Sequence, residues 1–248
     1  MTEHDHSARR YEIEGRDLGY PTRFRDGASA AGLFVVRSRV ANELIADSGF
    51  RVAEIGPGRA LLVLTGVHYT DTDCGDYEET AQAFFVEPVG KGARIPYLST
   101  WSDVVRGRVT SFTWKLQVTT TLSRDCGLRM WGYPKTLGEI AFEKSPERAS
   151  FGLRMEGRRV FTFSVRAQGR HQPATVTSPV YSLFEGAPHV GYLTQTYRDT
   201  DYQLGGGQVE LGDHPLADEL RRLGLPRRPL LATWNGRLDF SMSAPEKL

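Results

Sequence analysis

The stretch SFGLRMEGRRVFTFSV, residues 150–165, constrains the fold more than any other part of the chain. Phe151, Leu153 and Met155 alternate up one side, Glu156-Gly157-Arg158 supplies a turn, and Val160 leads into Phe161, Phe163 and Val165 on the return. A period of two places every second side chain on one face of a pleated ribbon, whereas a helix repeats every 3.6 residues. The pattern predicts a β-hairpin, with Gly157 free to take the positive φ of a tight turn. Related signals recur along the chain. ALLVLTGVHYT (60–70) reads as a buried strand, AQAFFVEPV (81–89) as another closed by Pro88, and RVTSFTWKLQVTTTL (108–122) as a long strand dense in Val, Thr and aromatics. RLDFSMS alternates Leu238, Phe240 and Met242. Helices are few. SRVANELIAD (38–47) is expected to be one, capped by Ser38, and HPLADELRRL (214–223) another, capped by Asp213, with Pro215 in its first turn and Gly224 ending it. Residues 1–17 are charged with few anchors and are expected to be frayed. Residues 18–248 read as a single mainly β (α+β) domain, antiparallel and barrel-like, with a few peripheral helices.

The bulk numbers exclude several functions. With 248 residues and 40% hydrophobic content the chain can bury a real core. A formal net charge of +1 provides no field for nucleic acid, and the densest basic cluster, Arg221, Arg222, Arg227 and Arg228, reads as a solvated helix end and loop. No apolar run approaches the ~20 residues needed to span a bilayer, so no membrane partner is expected. The opening MTEHDHSARRYEIEGRD lacks the apolar segment of a secretory leader, and two cysteines, Cys74 and Cys126, suit a reducing compartment; a cytoplasmic location is expected.

Against this plain background one residue stands out. Five of the 31 basic residues are lysines, Lys91, Lys115, Lys135, Lys144 and Lys247. Lys135 follows Tyr133-Pro134 and lies among Met130, Trp131 and Leu137. A free lysine has a pKa near ~10.4, so at pH 7 about one amine in 2500 is neutral, and only the neutral amine attacks a carbonyl. Apolar surroundings disfavour the charged form of an amine. A turn lysine snorkelling past aromatic rings would give the same local sequence.

The segment YPKTLG resembles the acetoacetate decarboxylase family, whose hallmark is Tyr/Phe-Pro-Lys before a Leu-Gly-like turn. DYEETAQAFFVEP (76–88) is similar to that family's Tyr-x-Glu-Ser-x-Gln-Ala strand. FVVRSRVANELI (34–45) is similar to its strand-then-helix opening, and QVELGDHPLADELRRLGLP (208–226) to its C-terminal strand and Asp-His. The resemblance spans roughly residues 30–245. It implies an antiparallel β-barrel or cone, assembly into homo-oligomers, no cofactor, and Lys135 as a Schiff-base nucleophile inside an apolar cavity. It places Glu79 on the active-site glutamate, as the acid/base that moves protons on the intermediate. Tyr77 and Tyr133 become donors to the carbinolamine oxygen, or core aromatics with satisfied hydroxyls. Trp131 and Arg129 are expected beside the substrate, Arg129 as the nearest cation in sequence.

Where the decarboxylases carry a second lysine after the nucleophile, this chain has Thr136. Their upstream Gly-Arg-Glu is replaced by Gly127-Leu128-Arg129. GASAAG (27–32) lacks their arginine, and an acidic residue gives way to a valine at about Val63. These departures argue against acetoacetate as substrate. The expected function is a lyase forming a Lys135 Schiff base with a keto acid or related small carbonyl compound. It would act as a decarboxylase or as an aldolase-dehydratase in specialised metabolism. The alternatives are a non-covalent cyclase or isomerase, or a small-molecule binder, using the same cavity.

Other constellations carry less. DTDCGDYEE (71–79) is acidic but off the pattern of a calcium loop and reads as solvated. The six histidines, His4, His6, His68, His171, His189 and His214, show no metal-ligand spacing, and no metal is expected. No Gly-rich phosphate loop or nucleophile elbow is found.

Overall fold

Seven strands close into a barrel: β1 (Thr22–Arg37), β2 (Arg59–Thr72), β3 (Tyr77–Pro88), β4 (Thr110–Val118), β5 (Ala174–Phe184), β6 (Ala187–Leu204) and β7 (Leu231–Met242). The structure, a computed structural model, describes residues 8–90, 97–106 and 110–248. Hydrogen-bonded neighbours run β3–β2–β1–β7–β6–β5–β4, and β4 returns to pair with β3. Every seam is antiparallel except β5–β4, which is parallel and held through Val180↔Ser111 and Tyr181↔Phe112. The helices α1 (Ser38–Leu44), α2 (Leu98–Val105), α3 (Thr121–Cys126) and α4 (Pro215–Arg222) are peripheral.

The hairpin that anchored the sequence reading forms as Arg148–Met155 and Arg158–Arg166. Glu156 (φ 51°) and Gly157 (φ 72°) both adopt left-handed φ, the two-residue turn whose twist matches the flanking strands. With Glu139–Lys144 and Gln208–Leu211 it makes a four-stranded sheet. That sheet shares a buried core with the barrel: Phe151, Leu153 and Phe163 pack with Leu62, Leu64, Phe84 and Trp234. Gly66 on β2 permits the approach, because a Cβ there would lie 2.3 Å from the Phe151 ring. Strand β2 is therefore covered on both sides. Leu62 and Leu64 join the core shared with the second sheet, while Val63, Thr65 and Val67 line the barrel interior. Double coverage explains why residues 60–70 read as a continuous apolar run rather than as an alternation. Small interior residues, among them Ser29, Ala31, Ala81 and Ala83, leave a cavity of about 490 Å³.

Several expectations are corrected. Residues 1–7 lie outside the described residues, but Tyr11–Ile13 and Arg16–Leu18 pair as a hairpin and are not frayed. Tyr11, Ile13 and Leu18 are buried in a cluster with Met130 and Trp131, and the charges that suggested fraying occupy the solvent side. The strand expected over 108–122 ends at Val118; its first two residues lie outside the described ones. Thr120 instead caps α3, its Oγ1 accepting from Ser123 N at 3.3 Å. Ser38 does not cap α1; it is the first helical residue and its hydroxyl donates to Glu54. Helix α4 is capped by His214, whose Nδ1 accepts from Leu216 N at 3.1 Å, and not by Asp213. The acidic turn is ion-paired: Arg25 holds Asp71 at 3.1 Å and also binds Asp73, whose other oxygen accepts from Arg23 N at 2.8 Å.

Candidate active site

The loop that presents Lys135 is fixed by local chain chemistry. Helix α3 passes into a wider π-turn, Gly127–Trp131, of the kind that often marks functional sites. Gly132 then takes φ 68°, and a Cβ there would lie 2.2 Å from the Leu183 carbonyl oxygen, so glycine is required twice over. Lys135 N donates to Tyr133 O at 2.7 Å, a one-residue turn over Pro134 whose ring pre-sets φ. Lys135–Leu137 then adds to β4 in parallel, with Lys135 opposite Leu116. Alternation buries Lys135 and exposes Thr136.

The amine meets its partners inside the barrel. Lys135 Nζ stands 3.0 Å from Glu79 Oε2, donates to Ser123 Oγ at 3.0 Å, and reaches Tyr77 OH at 3.4 Å. The lysine side chain is 7% exposed and that of Glu79 13%. Glu79 projects from β3, opposite Val67 on β2 and Val118 on β4. Its Oε1 faces Tyr69 OH and its Oε2 faces Tyr77 OH, each at 3.5 Å. Burial, reinforced by the charge of Glu79, raises the phenol pKa of both Tyr69 and Tyr77 well above the usual value, so both stay neutral donors. Burial does the same for Tyr133. Gly127 makes room for the lysine: a Cβ at that position would lie 2.4 Å from Lys135 Cδ and 2.7 Å from Cε.

Of the expected site residues, Lys135, Glu79, Tyr77, Tyr133 and Trp131 all line the cavity. Trp131 is held there by its indole N–H, which donates to Ser243 O at 2.9 Å. Arg129 does not join them. The π-turn directs Met130 and Trp131 inward and leaves Arg129 exposed, with Nη1 donating to Glu12 O at 2.9 Å. Of the substituted positions, Val63 and the GASAAG segment reach the interior, since Val63, Ser29 and Ala31 line its wall, whereas Leu128, Arg129 and Thr136 are exposed. Sequence reasoning missed Tyr69, Ser123 and Gly127. Tyr69 had a signal, lying directly across the β2–β3 pair from Tyr77. Ser123 had none, because the strand read over 108–122 took in the first two residues of its helix, Thr121 and Leu122. Behind the lysine, Cys74 and Cys126 are both buried and free. The two thiols interact so that the pKa of Cys74 is raised and that of Cys126 lowered, with Lys135's charge favouring the thiolate at both.

A model of the acetoacetate decarboxylase (ADC) family matches residues 19–246. Among solved structures, an acetoacetate decarboxylase superposes with a TM-score of 0.65 at 16% identity, covering 93% of this chain and 90% of that one. The acetoacetate decarboxylase of Legionella pneumophila gives 0.63 at 15% identity, over 94% and 90%. The enduracididine biosynthesis enzyme MppR, solved with pyruvate, gives 0.57 at 16% identity, over 93% and 91%. No curated protein sequence matches this chain significantly.

Proposed function

This chain belongs to the acetoacetate decarboxylase family, and from that premise we propose that it is a cofactor-independent lyase acting through a Schiff base on Lys135. The observation that carries the reading is the Lys135–Glu79 pair, buried at 3.0 Å and facing a cavity of about 490 Å³. Glu79 takes a proton from Nζ, and the amine's electron pair forms a C–N bond to the substrate carbonyl carbon. The carbonyl π pair moves to oxygen, which is protonated to a carbinolamine; Tyr77, 3.4 Å from Nζ, is placed to donate to that oxygen. Loss of water gives the iminium. When a bond at the adjacent carbon breaks, its electron pair moves into the C–N system as an enamine, and Glu79 receives or returns the proton. The π-faces and apolar walls around the amine exclude bulk water, which strengthens these polar contacts.

The relatives lend support of two kinds: one is called a decarboxylase, and another has been solved with the condensation product of pyruvate and imidazole 4-carboxaldehyde. Both reactions need the same electron sink. The competing reading, a non-covalent isomerase or cyclase, is favoured by Tyr69 and Tyr77 both facing Glu79. Exchange of α-protons in D₂O, followed by proton NMR on a simple ketone such as acetone, separates the two. Iminium–enamine cycling predicts exchange by the wild type and its loss, by at least about a hundredfold, in both Lys135→Ala and Glu79→Gln. Exchange that survives Lys135→Ala and disappears in Glu79→Gln would establish the non-covalent route.

A further inference from the structure

We infer that the carbonyl compound this cavity accepts is uncharged, and that the Gln195 side-chain amide recognises an oxygen in the rest of it. The inference rests on the Lys135 Schiff base and adds the substrate class. Among the described residues, Lys135 and Glu79 are the only charged side chains lining the cavity, and at 3.0 Å they neutralise each other. A carboxylate brought inside would lose its hydration, find no arginine or second lysine, and face the carboxylate of Glu79. The remaining polar groups are neutral, and the two side-chain amides among them differ. Asn235 accepts from Thr200 at 2.9 Å and donates to Ser29 at 3.0 Å. Gln195 is different. Its Oε1 accepts from Tyr197 OH at 2.9 Å, and its NH₂ makes no hydrogen bond to any described residue.

Gln195 is also well placed. It lies on β6 opposite Phe240, which stacks on Phe24 at 4.1 Å; Phe24 touches Tyr69, whose hydroxyl faces Glu79. One continuous wall thus leads from the reacting pair to an amide donor. Such a donor suits a carbonyl, hydroxyl or ether oxygen better than it suits an anion, for which it supplies no charge. A substrate without a carboxylate has no CO₂ to lose, which turns the iminium to aldol-type chemistry. In the cleavage direction the Cα–Cβ bond breaks and its pair forms the enamine. The β-hydroxyl proton passes to Glu79, and the released fragment leaves as an aldehyde.

Two isosteric methyl ketones provide the test: 4-oxopentanamide, which is neutral, and 4-oxopentanoate, which is an anion. Each is incubated with the protein and cyanoborohydride, and labelling of Lys135 is followed by peptide mass mapping, normalised to each probe's rate with N-acetyl-lysine. The neutral probe is expected to label at least about ten times faster, and Gln195→Arg to reverse the preference. Equal or faster labelling by the anion in the wild type overturns the inference while leaving the Schiff base intact. An unchanged preference in Gln195→Arg overturns the role given to Gln195. Labelling by neither probe removes the Schiff base itself, and this inference with it.

Discussion

Lys135 Nζ and Glu79 Oε2 lie 3.0 Å apart in the wall of the cavity, presented by the short strand Lys135–Leu137 and by β3. Residues 56 positions apart in sequence (135 − 79) are made partners by strand β4, which pairs with β3 at Glu79 along one edge and with Lys135–Leu137 along the other.

That pairing makes the two side chains interdependent for stability. Removing one partner leaves the other as an uncompensated buried charge, at a cost of about 3–5 kcal/mol. Lys135→Met and Glu79→Gln are each expected to lower the urea midpoint clearly, and the double variant to recover much of the loss. A double variant that simply adds the two losses would show that the residues are not coupled.

Gly127 and Gly132 constrain the lysine loop in different ways. An added Cβ at Gly127 meets only the flexible methylenes of Lys135, whereas at Gly132 it meets the Leu183 backbone carbonyl at φ 68°. Gly127→Ala is expected to lose α-proton exchange, because the amine is pushed off Glu79, and to lose stability only as far as the buried pair is separated, a loss of up to about 3–5 kcal/mol that Glu79→Gln should relieve. Gly132→Ala is expected to lose stability by roughly 1–3 kcal/mol. Thermal melts and exchange rates measured on both variants check the contrast.

The phenols give a pH signature. Tyr20, Tyr69, Tyr77, Tyr133 and Tyr197 are all shifted upward, first by burial, with Tyr197 raised to about 12. A raised folded value favours the neutral form in the native state. The associated stability is complete below the unfolded tyrosine pKa of ~10 and is lost as pH climbs towards and past the folded values. Ultraviolet titration of the native protein at pH 11 should therefore leave these five of the ten tyrosines largely un-ionised, followed by a cooperative jump on alkaline unfolding. Complete titration around pH 10 without unfolding would contradict their burial.

Arg129→Ala should be silent in catalysis. The guanidinium contacts the Glu12 carbonyl on the surface and does not enter the cavity. Exchange rates should match the wild type, with stability changed by no more than about 0.5 kcal/mol. A large loss of exchange would return Arg129 to the site.

The mainly β barrel with few helices was legible in the sequence because alternation, Gly turns and β-branched residues are local signals, and residues 150–165 carried them most clearly. The long strands β1, β5 and β6 were harder to read. Strand β1 is rich in Ala, Gly and Ser, residues chosen for a close-packed or cavity-facing wall rather than for strand propensity. The second sheet's position on the barrel is set by contacts such as Gly66 with Phe151, far apart in the chain and invisible to any window. At the candidate site, motif resemblance singled out Lys135, Glu79 and Tyr77, which the fold brings to one cavity. Arg129 was misplaced because proximity in sequence says nothing about which way a π-turn points a side chain. Ser123 was lost when the run of Thr119, Thr120 and Thr121 was read as strand rather than as a helix cap.

The most direct test of the central claim is to reduce the protein with cyanoborohydride in the presence of acetone and map the modified peptide by mass spectrometry. The account predicts one isopropyl group per chain, located on Lys135, formed faster than on Lys115, Lys144 or Lys247 and abolished by Lys135→Ala. Labelling spread evenly over the lysines, or undiminished in Lys135→Ala, would contradict it.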